Sequence, residues 1–126
     1  METGDVLRVQ YLFADRAKPG EYEEPRRKWL VLLRCDEAEP DVTFLIASTL
    51  RPDQGATRRF EVPVSPDEGG FTMETVVDCR WPNTLPRAWF TDAEDMGKLS
   101  DETMEEVGKA LVYGLRLHEI ARRRRA

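Results

Sequence analysis

Cysteine and histidine are nearly missing from this chain: Cys35, Cys79 and His118 are the only ones in 126 residues. Two distant thiols cannot build a cysteine metal site, and a single imidazole adds little, so the composition argues against a zinc enzyme. The start, Met1-Glu2-Thr3-Gly4-Asp5, is polar and acidic and unlike a secretory signal. Together with two unpaired thiols it points to reduced cysteines in a cytoplasmic protein. No apolar run approaches the roughly 20 residues of a membrane span. Positive charge is in deficit, with 19 Lys and Arg against 24 Asp and Glu and a net charge of −5. That balance is the wrong one for nonspecific nucleic-acid binding. Helical periodicity is absent before residue 95, which excludes parallel βαβ units, and no internal repeat is found.

What is present suits one soluble, globular domain over residues 1–126, with 40% hydrophobic and 34% charged residues. The chain is organised around residues 26–33, where Arg26, Arg27 and Lys28 stand directly before an apolar run from Trp29 to Leu33. A short run without alternation suits a strand buried on both faces. Residues 42–47 form a second such run and end in Ser48-Thr49. If these two strands pair, Arg27 and Thr49 reach one rim, and a guanidinium beside a hydroxyl is a natural grip for a phosphate.

The remaining elements follow from local patterns. Residues 6–13 alternate, with Leu7, Val9, Tyr11 and Phe13 opposite Arg8 and Gln10, as in a half-buried strand. Residues 59–64 alternate again, and Pro63 assigns them to a sheet edge or a bulge. Residues 75–79 read as a strand running into a tip at Arg80-Trp81-Pro82-Asn83-Thr84, and Ala88-Trp89-Phe90 as a last short strand. Ser100 is a good N-cap, and Asp101 and Glu102 favour the positive end of a helix. Met104, Val107, Leu111 and Leu115 then fall at helical spacing, predicting one amphipathic helix from 101 to about 121, with Gly108 and Gly114 allowing close packing on the sheet. Five or six strands and one closing helix make a mainly β protein, a small SH3-like barrel or curled antiparallel sheet with a C-terminal α-helix. Residues 118–126 are a basic extension of that helix.

The order of these segments resembles the MazF/PemK (Kid) toxin family, whose fold is similar to that of the DNA-gyrase inhibitor CcdB. The matching pieces are Gly4-Asp5-Val6, Arg27 before the Trp29–Leu33 run, Ile46-Ala47-Ser48-Thr49, Phe60-Glu61-Val62-Pro63, Gly70-Phe71 before Thr75-Val76-Val77, and Leu99-Ser100-Asp101-Glu102. They span roughly residues 4–117. The resemblance implies a homodimeric toxin of a type II toxin–antitoxin system. It would cleave single-stranded mRNA as a metal-independent endoribonuclease without a cofactor, and a cognate antitoxin would block it. Arg27 matches the family's catalytic arginine and Thr49 its hydroxyl. Two departures stand out. The family's Arg-Pro is Arg27-Lys28 here, with Arg26 as an alternative register. Its Asp-Gln-x-Arg-Thr tip is Arg80-Trp81-Pro82-Asn83-Thr84.

RNA can be cut by its own 2′-hydroxyl, which asks the protein for charge stabilisation and proton transfer. Arg27 supplies the first as a planar fork of donors, always charged and therefore no proton donor. Thr49 would hold a phosphate oxygen or orient the 2′-hydroxyl. With no histidine pair, a carboxylate is the expected base, and Glu23, Glu24 and Asp78 are the candidates. Arg26, Lys28, Ser48, Arg51, Arg80, Trp81, Asn83 and Thr84 are the expected substrate contacts. Trp81 either stacks a base or serves the core or a dimer contact, and His118 reads as a helix-surface residue. Arg122 to Arg125 read as a solvated tail, with RNA or a second subunit as the other reading. Two other functions share the pattern: a non-catalytic gyrase inhibitor or RNA- or protein-binding module on the same fold, and an SH3-like adaptor.

Overall fold

The computed structural model describes residues 1–11, 18–21, 26–50 and 57–125. Phe13, Glu23, Glu24 and Arg51 therefore lie outside the described residues. Among the described residues seven strands are formed: β1 Asp5–Tyr11, β2 Arg26–Arg34, β3 Asp41–Thr49, β4 Glu61–Val64, β5 Thr75–Asp78, β6 Asn83–Pro86 and β7 Glu94–Lys98. Two helices follow, α1 Asp101–Gly114 and α2 Leu117–Arg125. All strand pairs are antiparallel, in the order β4-β5-β3-β2-β1-β7. The long β3 shares its second edge between two partners: β6 pairs with it over 41–44 and β5 over 47–49. The expected fold class, a curled antiparallel sheet with a helical C-terminus, is the one formed. No helix among the described residues is long and apolar enough to cross a membrane.

The unalternated runs lie between two apolar clusters, one on each side of the sheet. Val31, Leu45 and Ala47 join Val6, Phe71, Val77, Leu99 and the α1 residues Val107 and Ala110. Leu30, Leu32, Val42 and Phe44 point the other way, with Leu7, Cys35 and Phe90. Leu30, Val31 and Leu32 are each no more than 1% exposed, as a strand covered on both faces requires. Pro63 sits on β4, the terminal strand of the order, where its missing N–H costs no ladder bond.

Three expectations are corrected. Residues 88–90 are not a strand: Arg87–Phe90 is a 3₁₀ turn. Arg87 fixes it by donating from Nη2 to the carbonyls of Cys35 and Asp36 at 3.0 and 2.6 Å, which sets Phe90 edge-on to Phe44 with ring centroids 5.7 Å apart. The strand after it, β7, comes from a polar stretch with no alternation, and it forms because β1 has a free edge to pair. The single long helix is in fact two. Arg116 takes a left-handed φ of 62°, and Leu115 is 44% exposed rather than on the buried face. Gly114 does allow close approach, since a Cβ there would lie 2.7 Å from the Cys79 carbonyl oxygen, whereas Gly108 has nothing within 4 Å.

The helix start is tied to the sheet. Ser100 caps α1 by accepting from Thr103 N at 3.1 Å, and its own N and Oγ both donate to Glu68 Oε1 at 3.0 Å. Partial burial pushes the Glu68 carboxyl up, but bonds from Thr103 and Ser100 outweigh it and hold the group below the usual glutamate range. A carboxyl depressed in the folded state stabilises above its unfolded pKa, and that contribution fades as pH falls through the folded value. Glu68→Gln should therefore lower Tm at neutral pH while flattening the loss of Tm on acidification below the ordinary glutamate range, through which the wild-type group takes up its proton. Thermal melts across that range by circular dichroism check it.

Candidate active site

The pairing of β2 with β3 runs from Arg34↔Thr43, past a bulge before Leu32↔Phe44, to Trp29↔Ala47. Arg27 and Thr49 are each two residues beyond that last pair, at the same end of the sheet. Strand alternation then gives Arg27 the face of Trp29 and Val31, and Thr49 the face of Leu45 and Ala47, which is the face of the first cluster. The two side chains thus share a face and an end. Arg27 has 60% of its side chain exposed, and Thr49 is exposed as well.

Thr49 opens on a cleft of about 170 Å³, lined also by Trp29, Ala47, Ser48, Phe71, Thr72, Met73 and Thr75. Trp29 and Phe71 form its aromatic wall, with ring centroids 5.0 Å apart and tilted by 38°. Thr75 faces Thr49 across the β3–β5 pair, is 5% exposed, and donates its hydroxyl to the Met73 carbonyl at 2.9 Å. Thr49 itself is exposed.

On the other side of Arg27 the structure adds two residues that the sequence did not point to. β1 sets Gln10 opposite Arg27 and Arg8 opposite Trp29, and β7 sets Glu94 opposite Arg8. Glu94 bridges the two arginines: Oε2 takes Arg8 Nη2 at 2.6 Å and Oε1 takes Arg27 Nη1 at 3.0 Å. Arg8 also lies over the Trp29 ring, 5.8 Å from its centroid. In the sequence Arg8 is the solvent side of a half-buried strand and Glu94 one acid in an acidic run. Only the pairing of strands 86 residues apart joins them, and no local pattern signals it.

The other expected site residues spread out. Arg26 opens β2. Lys28 and Ser48 alternate to the opposite face from Arg27 and Thr49, although Ser48 still borders the cleft. Arg80 is engaged by Asp78 through Nε at 3.2 Å and Nη2 at 2.9 Å, and its guanidinium covers Phe60 at 4.0 Å. Asn83 donates to the Trp81 carbonyl at 2.9 Å, and Thr84 shares a 2.9 Å hydroxyl bond with Thr43. Thr84 pairs with Thr43, six residues along β3 from Thr49, which is roughly 20 Å of strand. The 80–84 tip is thus not part of the Arg27–Thr49 cluster. Asp78, at the far end of β5 from Thr75, is likewise removed from it.

A larger groove of about 490 Å³ runs between β4 and α1. Its charges are engaged locally: Arg59 lies 4.4 Å over the Tyr113 ring, Glu61 accepts from Arg58 N at 2.9 Å, and Lys109 pairs with Glu106 at 3.5 Å. Both cysteines are buried, in surroundings that disfavour the thiolate. Burial, with Asp78 nearby, pushes the Cys79 thiol up to about 12, and burial also raises Cys35.

No protein-family model matches the chain, and no curated protein does. Solved structures do. An endoribonuclease in complex with its cognate antitoxin, from a mycobacterial species, superposes with a TM-score of 0.61 at 19% identity, over 90% of this chain and 93% of that one. Another mycobacterial endoribonuclease gives 0.59 at 19% identity, over 90% and 88%. The Mycobacterium tuberculosis toxin MazF-mt6 gives 0.57 at 20% identity, over 72% and 88%. Identities this low establish a shared fold, the MazF-type curled sheet with a C-terminal helix.

Proposed function

We propose that this chain is the toxin of a type II toxin–antitoxin system, a metal-independent endoribonuclease of single-stranded mRNA. It would act in the cytoplasm as a homodimer and be held inactive by a cognate antitoxin. The observation that supports the reading is that the β2–β3 register brings Arg27 and Thr49 to the same end and the same face of the sheet, with Thr49 lining an aromatic-walled cleft. It is supported by the fold shared with endoribonucleases, one of them bound to its antitoxin.

In the reaction the 2′-oxygen of RNA attacks the adjacent phosphorus and its proton passes to a base. The bond from phosphorus to the 5′-oxygen breaks with its electron pair on that oxygen, which takes a proton from solvent water, leaving a 2′,3′-cyclic phosphate and a 5′-hydroxyl. Charge accumulates on the non-bridging oxygens, and the Arg27 fork matches them in pairs. A donor preorganised in this way contributes about 3–4 kcal/mol to the transition state. The Thr49 hydroxyl binds a phosphate oxygen or orients the 2′-hydroxyl. Trp29 and Phe71 offer ring surface against which an unstacked base can lie. Asp78, committed to Arg80 and remote from Thr49, is a poor base for this step.

The test is incubation of the purified chain with a mixture of single-stranded RNAs in EDTA. Fragments ending in cyclic phosphate are the expected products. Intact RNA across diverse sequences would remove the reading.

A further inference from the structure

The site holds an anion of its own. Glu94 offers one carboxylate oxygen to each of two guanidiniums, Arg8 and Arg27. Two cations on one carboxylate leave a surplus positive charge, so the trio still attracts an anion. Arg27 and Glu94 are both well exposed, at 60% and 47% of their side chains, so the Arg27 pair can open to a ligand without unfolding the strand. Exposed pairs of this kind are weak and exchangeable.

The contacts are also single ones. Each guanidinium gives one terminal nitrogen to Glu94. Arg8 Nε is buried and has no hydrogen-bond partner among the described residues. A phosphodiester presents the same acceptor pair in its two non-bridging oxygens, with the geometry to take a bidentate fork. Arg8 is positioned for it: its guanidinium lies 5.8 Å from the Trp29 ring centroid, and the β1–β2 pairing sets it diagonal to Arg27.

Building on the nuclease reading, we infer that Arg8 and Arg27 form a paired clamp for one RNA phosphate and that Glu94 is a built-in counter-ion which that phosphate displaces. Arg8 is then a substrate-binding residue, and Glu94 weakens binding of RNA until the strand arrives in register. A purely structural Glu94, fastening β7 to β1, would affect stability but not substrate affinity.

The experiment is steady-state cleavage of an RNA oligonucleotide that the wild type cuts, comparing wild type, Glu94→Gln and Arg8→Gln, with Arg8→Lys as a gentler variant. Glu94→Gln removes the competing charge at constant shape and should lower KM about three- to ten-fold, the worth of two exposed ion pairs, with kcat within about two-fold. Arg8→Gln should raise KM about ten-fold or more, and Arg8→Lys should recover part of that loss by restoring the charge without the fork. In a variant that melts like wild type, an unchanged or higher KM for Glu94→Gln, or an unchanged KM for Arg8→Gln, overturns the clamp and leaves the nuclease reading intact. A wild-type chain that cuts no RNA overturns the nuclease reading itself, a different outcome.

Discussion

Arg27→Ala is expected to lower kcat for RNA cleavage by about 10²–10³-fold, the effect of deleting one preorganised donor to a developing oxyanion. The loss in kcat comes on top of the rise in KM expected from removing half of the phosphate clamp, because the phosphorane carries more charge on its equatorial oxygens than the ground-state diester does. The fold should be indifferent to the change. Arg27 is mostly exposed, its pair with Glu94 is of the surface kind, and such pairs contribute about 0.2–1 kcal/mol. Single-turnover cleavage at saturating enzyme, run beside a thermal melt, separates the two effects. Wild-type kcat in Arg27→Ala would mean that the guanidinium is a rim charge and nothing more. A collapse of Tm together with activity would mean that its role is structural.

The second large effect concerns stability. Gly70→Ala is expected to cost about 3–5 kcal/mol, summing left-handed strain and overpacking. Gly70 has a φ of +79°, and a Cβ there would fall on the Met96 carbonyl oxygen of β7. Backbone meets backbone, so no side chain can rotate away. Gly69 and Gly70 belong to the short turn after β4 that packs on β7. Those contacts bring the two ends of the sheet, β4 and β7, around toward one another. Forcing them apart displaces β7, and Glu94 with it. Gly108→Ala is the control with opposite sign: it lies in α1 with open space around it, and should gain about 0.5–1 kcal/mol from helix propensity. Urea unfolding followed by tryptophan fluorescence measures both. An alanine at position 70 as stable as wild type would show that the turn can shift freely off β7.

The sequence by itself determined what depends on near neighbours. Leu30-Val31-Leu32 declared a strand buried on both faces because an unbroken apolar run can satisfy only two walls. Pro63 declared an edge or a bulge because a missing N–H is harmless there, and the edge is what formed. Ser100 declared the start of α1 because its oxygen reaches the free N–H three residues on. That Arg27 and Thr49 reach one end of the sheet followed from two such strands pairing. Tertiary structure alone decided the rest, because the remaining information is not periodic. Glu94 to Lys98 carries no strand pattern, and it became β7 only through the free edge of β1. The long helix broke where Gly114 rests on the Cys79 carbonyl and Arg116 turns left-handed. The Arg8–Glu94–Arg27 bridge joins residues from three strands, and side-chain periodicity says which face a residue takes but never which distant residue stands beside it.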